Sequence, residues 1–279
     1  MVVLIFILAK DGTPKILEFN ADTPTSLLEA SVIQWQWKED VFPECDQFNG
    51  IHEGLVQSWK DIFPKKGEIH FAGALENNED TGTLQYLAST AMEAGFSTRV
   101  LDMQALDLQN GRFFDPAGEL VNRCFKLYPW EWMVDESPDG CLAEMEWLEP
   151  IWKLVMSNKA ILATLYELFP DSPYVLPCYL SRPRSGLFCK KPVFSREGHN
   201  VSVVDIRDWE EYVRIAETEG DYNTGAYVYQ EYVEPTAYSG RYPVIGSWII
   251  GGEAAGIGIR ENRMEVTDNL SEFVPHIIG

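Results

Sequence analysis

The sequence predicts a mixed fold, α/β in its first part and α+β in its second. Three observations carry this. Between Glu68 and Leu101 a strand pattern, a helix pattern and a second strand pattern follow one another, the order of a unit with parallel strands. From Tyr179 onward short strand-like runs dominate. A loop of Ser, Pro, Asp and Gly near 140–150 separates the two regimes, which places a boundary between segments 1–148 and 149–279.

The first segment opens on Val2–Leu8, an apolar run ending at Lys10-Asp11-Gly12. Asp-Gly is a hairpin signal, so a second strand is expected over Lys15–Phe19. The opening run is too short to span a bilayer, and it lacks the basic start and small-residue cleavage site of a signal peptide. Ser26 and Glu29 have capping-box spacing, predicting a helix from Leu27 to about Glu39 with Leu28, Val32 and Trp35 near one stripe. Further helices are expected over His52–Ile62 and Gly82–Ala94, the latter with Leu84, Leu87, Ala88 and Ala91 on its apolar face. Glu68–Gly73 and Ser97–Leu101 read as strands, and Gly111–Tyr128 as a hairpin ending in a strand. Glu149–Phe169 reads as helical with an interruption at Ser157-Asn158. Strands follow over Leu187–Lys191, Val201–Asp205, Ala226–Tyr232, Val244–Ile250 and Ala254–Arg260, with a helix over Arg207–Glu217 and a hairpin turn at Gly251-Gly252.

Composition narrows the function. With 46% hydrophobic residues among 279, the chain can bury a large core. Its 43 acidic against 22 basic residues give a net charge of -21, a field that repels nucleic acid and attracts cations. The five cysteines are widely spaced and form no metal-binding pattern, as expected of reduced thiols in a cytoplasm.

Five motifs have the residue types that charged chemistry needs. Lys191 ends a strand and leads into the turn Ser195–Gly198, whose backbone amides can cover phosphates while the lysine offsets their charge; a lysine before proline at a strand end is also common without a ligand. Lys159 follows Ser157-Asn158 at a helix start, where it faces either an anion or solvent. Gln230 and Glu231 end a strand before a break at Pro235, the pattern of a purine-binding hinge or of an ordinary edge strand. Arg260 leaves a strand with Gly256 and Gly258, where glycines allow close approach and a guanidinium can grip a phosphate or carboxylate. Glu18 and Asn20 alternate onto one strand face, two oxygen donors of the kind Mg²⁺ takes alongside phosphate oxygens, or a polar pair satisfied at a strand end.

These motifs fall in one order with others: Leu17–Glu29, Phe125–Trp132, Glu149–Trp152, Ser157–Lys159, Lys191–Gly198, Tyr229–Glu231, Gly246–Trp248, Gly258–Glu261 and Phe273–His276. Together they resemble the synthetase module of the glutathionylspermidine synthase family, and more closely its short single-module relatives. The resemblance implies an ATP-grasp fold, with an incomplete pre-ATP-grasp domain in 1–148 and a nucleotide-binding region in 149–279. It implies ATP and Mg²⁺, a glutathione-like acid and a polyamine-like amine as small-molecule partners, and amide formation through an acyl phosphate, with no part for nucleic acid or membrane.

Carried onto this sequence, the resemblance gives Lys159, Lys191, Ser195 and Gly198 to the ATP phosphates, Gln230 and Glu231 to the adenine, Glu18 and Asn20 to the metal, and Thr23, Thr25 and Glu79 to the acid substrate. Arg260 becomes the catalytic cation. The family carries an Arg-x-Asp on its first strand, where Val2–Leu8 has neither residue, and roughly a hundred residues of helical sequence before it. Trp132 stands where the family enzyme has a small hydroxyl residue, and Glu272 where a basic one is expected. An N-terminally truncated homologue that binds ATP with little or no ligation is the alternative expectation.

Overall fold

Patterning places seventeen strands and seven α-helices among the residues that the computed structural model describes, which are all except 197, 209–210, 223–224 and 264–270. In chain order the strands are β1 (Val2–Leu8), β2 (Pro14–Asn20), β3 (Glu68–Gly73), β4 (Ser97–Asp102), β5 (Asp107–Gln109), β6 (Arg112–Phe114), β7 (Leu120–Val121), β8 (Arg123–Leu127), β9 (Glu146–Leu148), β10 (Cys178–Tyr179), β11 (Gly186–Pro192), β12 (Ser202–Ile206), β13 (Tyr212–Glu217), β14 (Tyr227–Glu231), β15 (Tyr242–Ile250), β16 (Glu253–Asn262) and β17 (Glu272–Val274). The helices are α1 (Gln34–Val41), α2 (Ile51–Ile62), α3 (Asn78–Glu93), α4 (Trp130–Glu136), α5 (Pro138–Cys141), α6 (Lys153–Ser157) and α7 (Ile161–Leu168).

They form four sheets. The parallel sheet has the order β4-β3-β8-β9, with α3 crossing between β3 and β4 as the strand–helix–strand pattern predicted. A small antiparallel meander, β5-β6-β7, extends beside it. The second half builds an antiparallel sheet, β10-β14-β11-β12-β13. The fourth sheet, β17-β16-β15-β1-β2, is antiparallel and joins the two ends of the chain. There β1 lies between β2 and β15, with Val3 opposite Trp248 and Ile5 opposite Gly246.

The main core fills the space between this joint sheet, the parallel sheet and helices α2 and α3. Val3, Leu27, Ile51, Leu55, Trp59, Phe71, Leu84, Phe125 and Trp248 are buried in it. Trp59 sets its edge against Phe71 and Phe125 with centroids at 5.6 and 6.2 Å, an aromatic arrangement favoured by the ring quadrupoles. The apolar face expected for α3 is the one buried, including Leu84, Leu87, Ala88 and Ala91.

Two local expectations are corrected. The segment expected as helix 207–217 contributes the edge strand β13 over Tyr212–Glu217, paired with β12; residues 209–210 lie outside the described set. Tyr212, Val213 and Ile215 favour an extended chain, and pairing to β12 overrides the helical propensity of the glutamates around them. The stripe Leu28, Val32 and Trp35 is also displaced. Glu29–Ile33 is a π-turn, which adds a residue per turn and rotates the buried face onto Ala30, Ser31 and Gln34, leaving Val32 and Trp35 exposed. No described helix is long and apolar enough to cross a membrane. All five cysteines are free.

Candidate active site

Strand alternation delivers charge from three elements to one place. On β2, Glu18 and Asn20 pair with Ile5 and Val3 and so share the face that β1 turns toward the site. On β11, Lys190 and Lys191 point to opposite faces: Lys190 stacks on Tyr227 at 3.9 Å, and Lys191 turns inward and is buried. Lys159 sits in the extended break between α6 and α7, where Asn158 has left the helical region (φ -83°, ψ 151°). Its backbone amide donates to Val193 O at 2.9 Å, which ties the break to the turn following β11.

Three adjoining cavities of about 180, 90 and 110 Å³ meet at Glu18, which lines all of them. The first also holds Asn20, Thr25, Gly198, Gly246, Gly258 and Arg260. The second holds Thr23, Thr25, Glu131, Asn158, Ser195 and Arg196. The third holds Lys159, Cys189, Lys191, Gly198, Gln230 and Glu231. Every sequence-predicted site residue except Glu79 therefore lies in one continuous region. Glu79 is exposed in the first turn of α3 and lines none of these cavities. Glu197, inside the expected phosphate turn, lies outside the described residues. A larger cavity of about 440 Å³ lies apart, walled mainly by Leu55, Trp59, Phe125 and Ile250.

The site is cationic at its centre. Lys159 Nζ lies 3.0 Å from Glu18 Oε1 and donates to Ser195 O at 2.6 Å. Lys191 Nζ donates to Gln230 Oε1 at 2.7 Å and Leu17 O at 3.1 Å, both neutral acceptors. Gln230 is held in turn by Nε2 to Ile16 O at 2.8 Å. Burial pushes the Lys191 ammonium below its ordinary value. Burial would raise the Glu18 carboxyl, but Lys159, Lys191 and Arg196 outweigh that and hold it below the usual glutamate value. Ser195 Oγ is buried without a hydrogen-bond partner among the described residues. A buried hydroxyl and a buried ammonium with only neutral acceptors are the features an anionic ligand would satisfy.

The motifs underweighted Arg196. Its Nη1 donates to Thr23 Oγ1 at 2.5 Å and its Nη2 to Glu131 Oε1 at 2.6 Å, joining the turn after β11 to the loop after β2 and the first turn of α4. Arg260 donates to Ser271 O at 3.3 Å and faces Glu18 and Asn20 across the first cavity. The Glu231 amide is engaged with Pro177 O at 2.7 Å. His276 bonds Gln34 and Phe48, which is a structural duty. The side of Gly258 on which a side chain would project is packed, since a Cβ there would lie 3.1 Å from Ala30 Cβ. Among the described residues no three His, Cys, Asp or Glu side chains converge as a metal-holding group, so a cation at Glu18 and Asn20 would need oxygens from elsewhere.

Comparison with known proteins identifies the family. Residues 5–279 match the model of the glutathionylspermidine synthase pre-ATP-grasp family. The chain belongs to this family. A Haemophilus influenzae member, provisionally named an acid–amine ligase, is 38% identical over 94% of this chain and 70% of its own length. The trypanothione synthetase of Crithidia fasciculata is 28% identical over 93% of this chain. The bifunctional glutathionylspermidine synthetase/amidase of Escherichia coli is 26% identical over 95%. This chain spans only 44% and 47% of those two relatives. Among solved structures, a Methylobacillus flagellatus protein provisionally named a γ-glutamylcysteine synthetase superposes with a TM-score of 0.67 at 9% identity, over 99% of this chain and 80% of its own. A glutathione synthetase-like effector from Globodera pallida superposes at 0.59 and 10% identity, over 100% of this chain and 76% of its own. The mixed α/β fold with several sheets is thus shared with synthetase-like proteins.

Proposed function

We propose that this chain is an ATP-dependent carboxylate–amine ligase of ATP-grasp type, acting in the cytoplasm on a glutathione-like acid and a polyamine-like amine. The observation that carries the reading is the meeting of Lys159, Lys191 and Arg260 around Glu18, with Ser195 Oγ unsatisfied beside them. In this reading Lys159 and Lys191 hold the ATP phosphates, and Ser195–Gly198 closes over them. Gln230 and Glu231 flank the adenine. Glu18 and Asn20 hold Mg²⁺, which would supply charge neutralisation at the phosphates. Thr23, Thr25 and Arg196 face the acid.

The substrate carboxylate attacks the γ-phosphorus of ATP, giving an acyl phosphate and ADP. The amine then attacks the acyl carbon, phosphate leaves, and the amine nitrogen gives up a proton as the amide forms. Arg260 stabilises the negative charge on the transferring group, an effect of preorganised cations aimed at the transition state. The turn over the phosphates keeps water from the acyl phosphate.

A specific observation favours a second reading, nucleotide binding with little ligation: β1 offers the cavities only Val3, Ile5 and Ile7, where the family pattern has an arginine and an aspartate. One assay separates the two. ADP release is measured with ATP and Mg²⁺, with and without glutathione and spermidine. Release that needs both an acid and an amine supports ligation. A thermal shift with ATP but no turnover for any acid–amine pair supports the second reading.

A further inference from the structure

After Asn20 the chain turns through residues 21–26 before it becomes helical at Leu27. Glu18 and Asn20 end the strand that leads into this stretch, and Thr23 and Thr25 lie on it; its one charged side chain, Asp22, lines none of the three cavities. Asp22 is 1% exposed and Lys126, on β8, is 0% exposed. Asp22 Oδ1 lies 2.5 Å from Lys126 Nζ. Asp22 Oδ2 accepts from Trp130 N at 2.9 Å. Lys126 also donates to Tyr128 O at 2.8 Å and stands 4.4 Å from the centre of the Trp130 ring.

A fully buried ion pair is a costly way to hold a fold, since apolar side chains of similar volume do as well or better. It does supply direction. Each oxygen of Asp22 is fixed to a different point of the β8–α4 segment, and β8 is an interior strand of the parallel sheet. Two further bonds flank this anchor: Ala21 N donates to Ser157 Oγ at 3.0 Å and Asn20 Nδ2 to Thr23 O at 3.1 Å.

We infer that Asp22 and Lys126 are positioning residues, a clamp that fixes the 20–25 loop against the parallel sheet so that Glu18 and Asn20 face a divalent cation and Thr23 faces Arg196. The inference rests on the ligase reading above. Groups that orient metal ligands typically change metal affinity about 10–100-fold when removed; here the orientation passes through the backbone from Asp22 to Asn20.

The test is calorimetric titration of the whole chain with ATP, with and without Mg²⁺, its fold checked by circular dichroism. In the wild type Mg²⁺ tightens ATP binding. In Asp22→Leu/Lys126→Met, which replaces the pair by apolar side chains, metal-free ATP binding by the two lysines persists and the gain from Mg²⁺ falls about 10–100-fold. If that variant fails to fold, Asp22→Asn, which keeps the shape and an acceptor for Trp130, shows the same selective loss to a smaller degree. A folded variant that keeps the full gain from Mg²⁺ overturns the clamp alone. A wild-type chain that binds no ATP, or gains nothing from Mg²⁺, overturns the ligase reading and the clamp with it.

Discussion

Lys191 is buried on β11 and its ammonium is met by two neutral oxygens, those of Gln230 and Leu17. A charge so placed is poorly compensated until an anion arrives. Lys191→Met is therefore expected to remove most of the thermal stabilisation that ATP gives the wild type, where ligand at a hundredfold excess over Kd contributes about 2.7 kcal/mol. Where turnover is present, kcat falls about 10²–10³-fold, the usual effect of losing one preorganised contact to developing charge. Differential scanning fluorimetry and an ADP-release assay check the two parts. Lys191 and Lys159 were legible because each lies in a short run of residues with a local pattern. Arg196 was not, because its partners Thr23 and Glu131 lie 173 and 65 positions away. Asp22 and Lys126 were hidden for the same reason, each sitting unremarked inside a longer motif.

At the scale of elements, glycines set how closely the joint sheet meets its helices. A Cβ on Gly256 would lie 3.0 Å from both Ile51 Cγ1 and Phe48 O, so β16 touches the start of α2 at backbone distance. Gly256→Ala is expected to destabilise the chain by about 1–3 kcal/mol through overpacking, read as a lower denaturant midpoint with unchanged slope. The same elements show what sequence reading reaches. The Asp11-Gly12 turn, with Gly12 at φ 82°, and the Gly251-Gly252 hairpin were legible because left-handed backbone demands those residues. The π-turn at Glu29–Ile33 was not, because its period is imposed by packing against β16 rather than by local propensity. β13 (Tyr212–Glu217) is the opposite case: the strand preference of Tyr212, Val213 and Ile215 competes with the helical propensity of the nearby glutamates, and antiparallel pairing with β12 decides between them.

For the whole molecule, acid is the expected weak point. His70 is 2% exposed on β3, and neither ring nitrogen has a hydrogen-bond partner among the described residues. Burial holds its imidazole below the ordinary value, against the pull of Glu68 and Asp115 and with a push from Arg99. Below about pH 6.5 the unfolded chain takes up a proton that the folded chain refuses, so this contribution to stability is full above that pH and falls below it, by at most about 1.4 kcal/mol per pH unit. Denaturant midpoints compared between about pH 7.5 and 5.5 should differ less in His70→Leu than in the wild type, whose carboxylates contribute equally to both. With a net charge of -21, added spermidine should also raise thermal stability at low salt without occupying any site, and this part should vanish at high salt.

The placement of β1 between β2 and β15 also governs how the molecule comes into being. β1 is made long before its neighbour β15, so its hairpin waits with one edge unpaired while the intervening sheets form. Closing so long a loop slows folding. Pulsed hydrogen exchange during refolding is expected to show the amides of β1 gaining protection together with those of β15, and after those of the parallel strands β3 and β4.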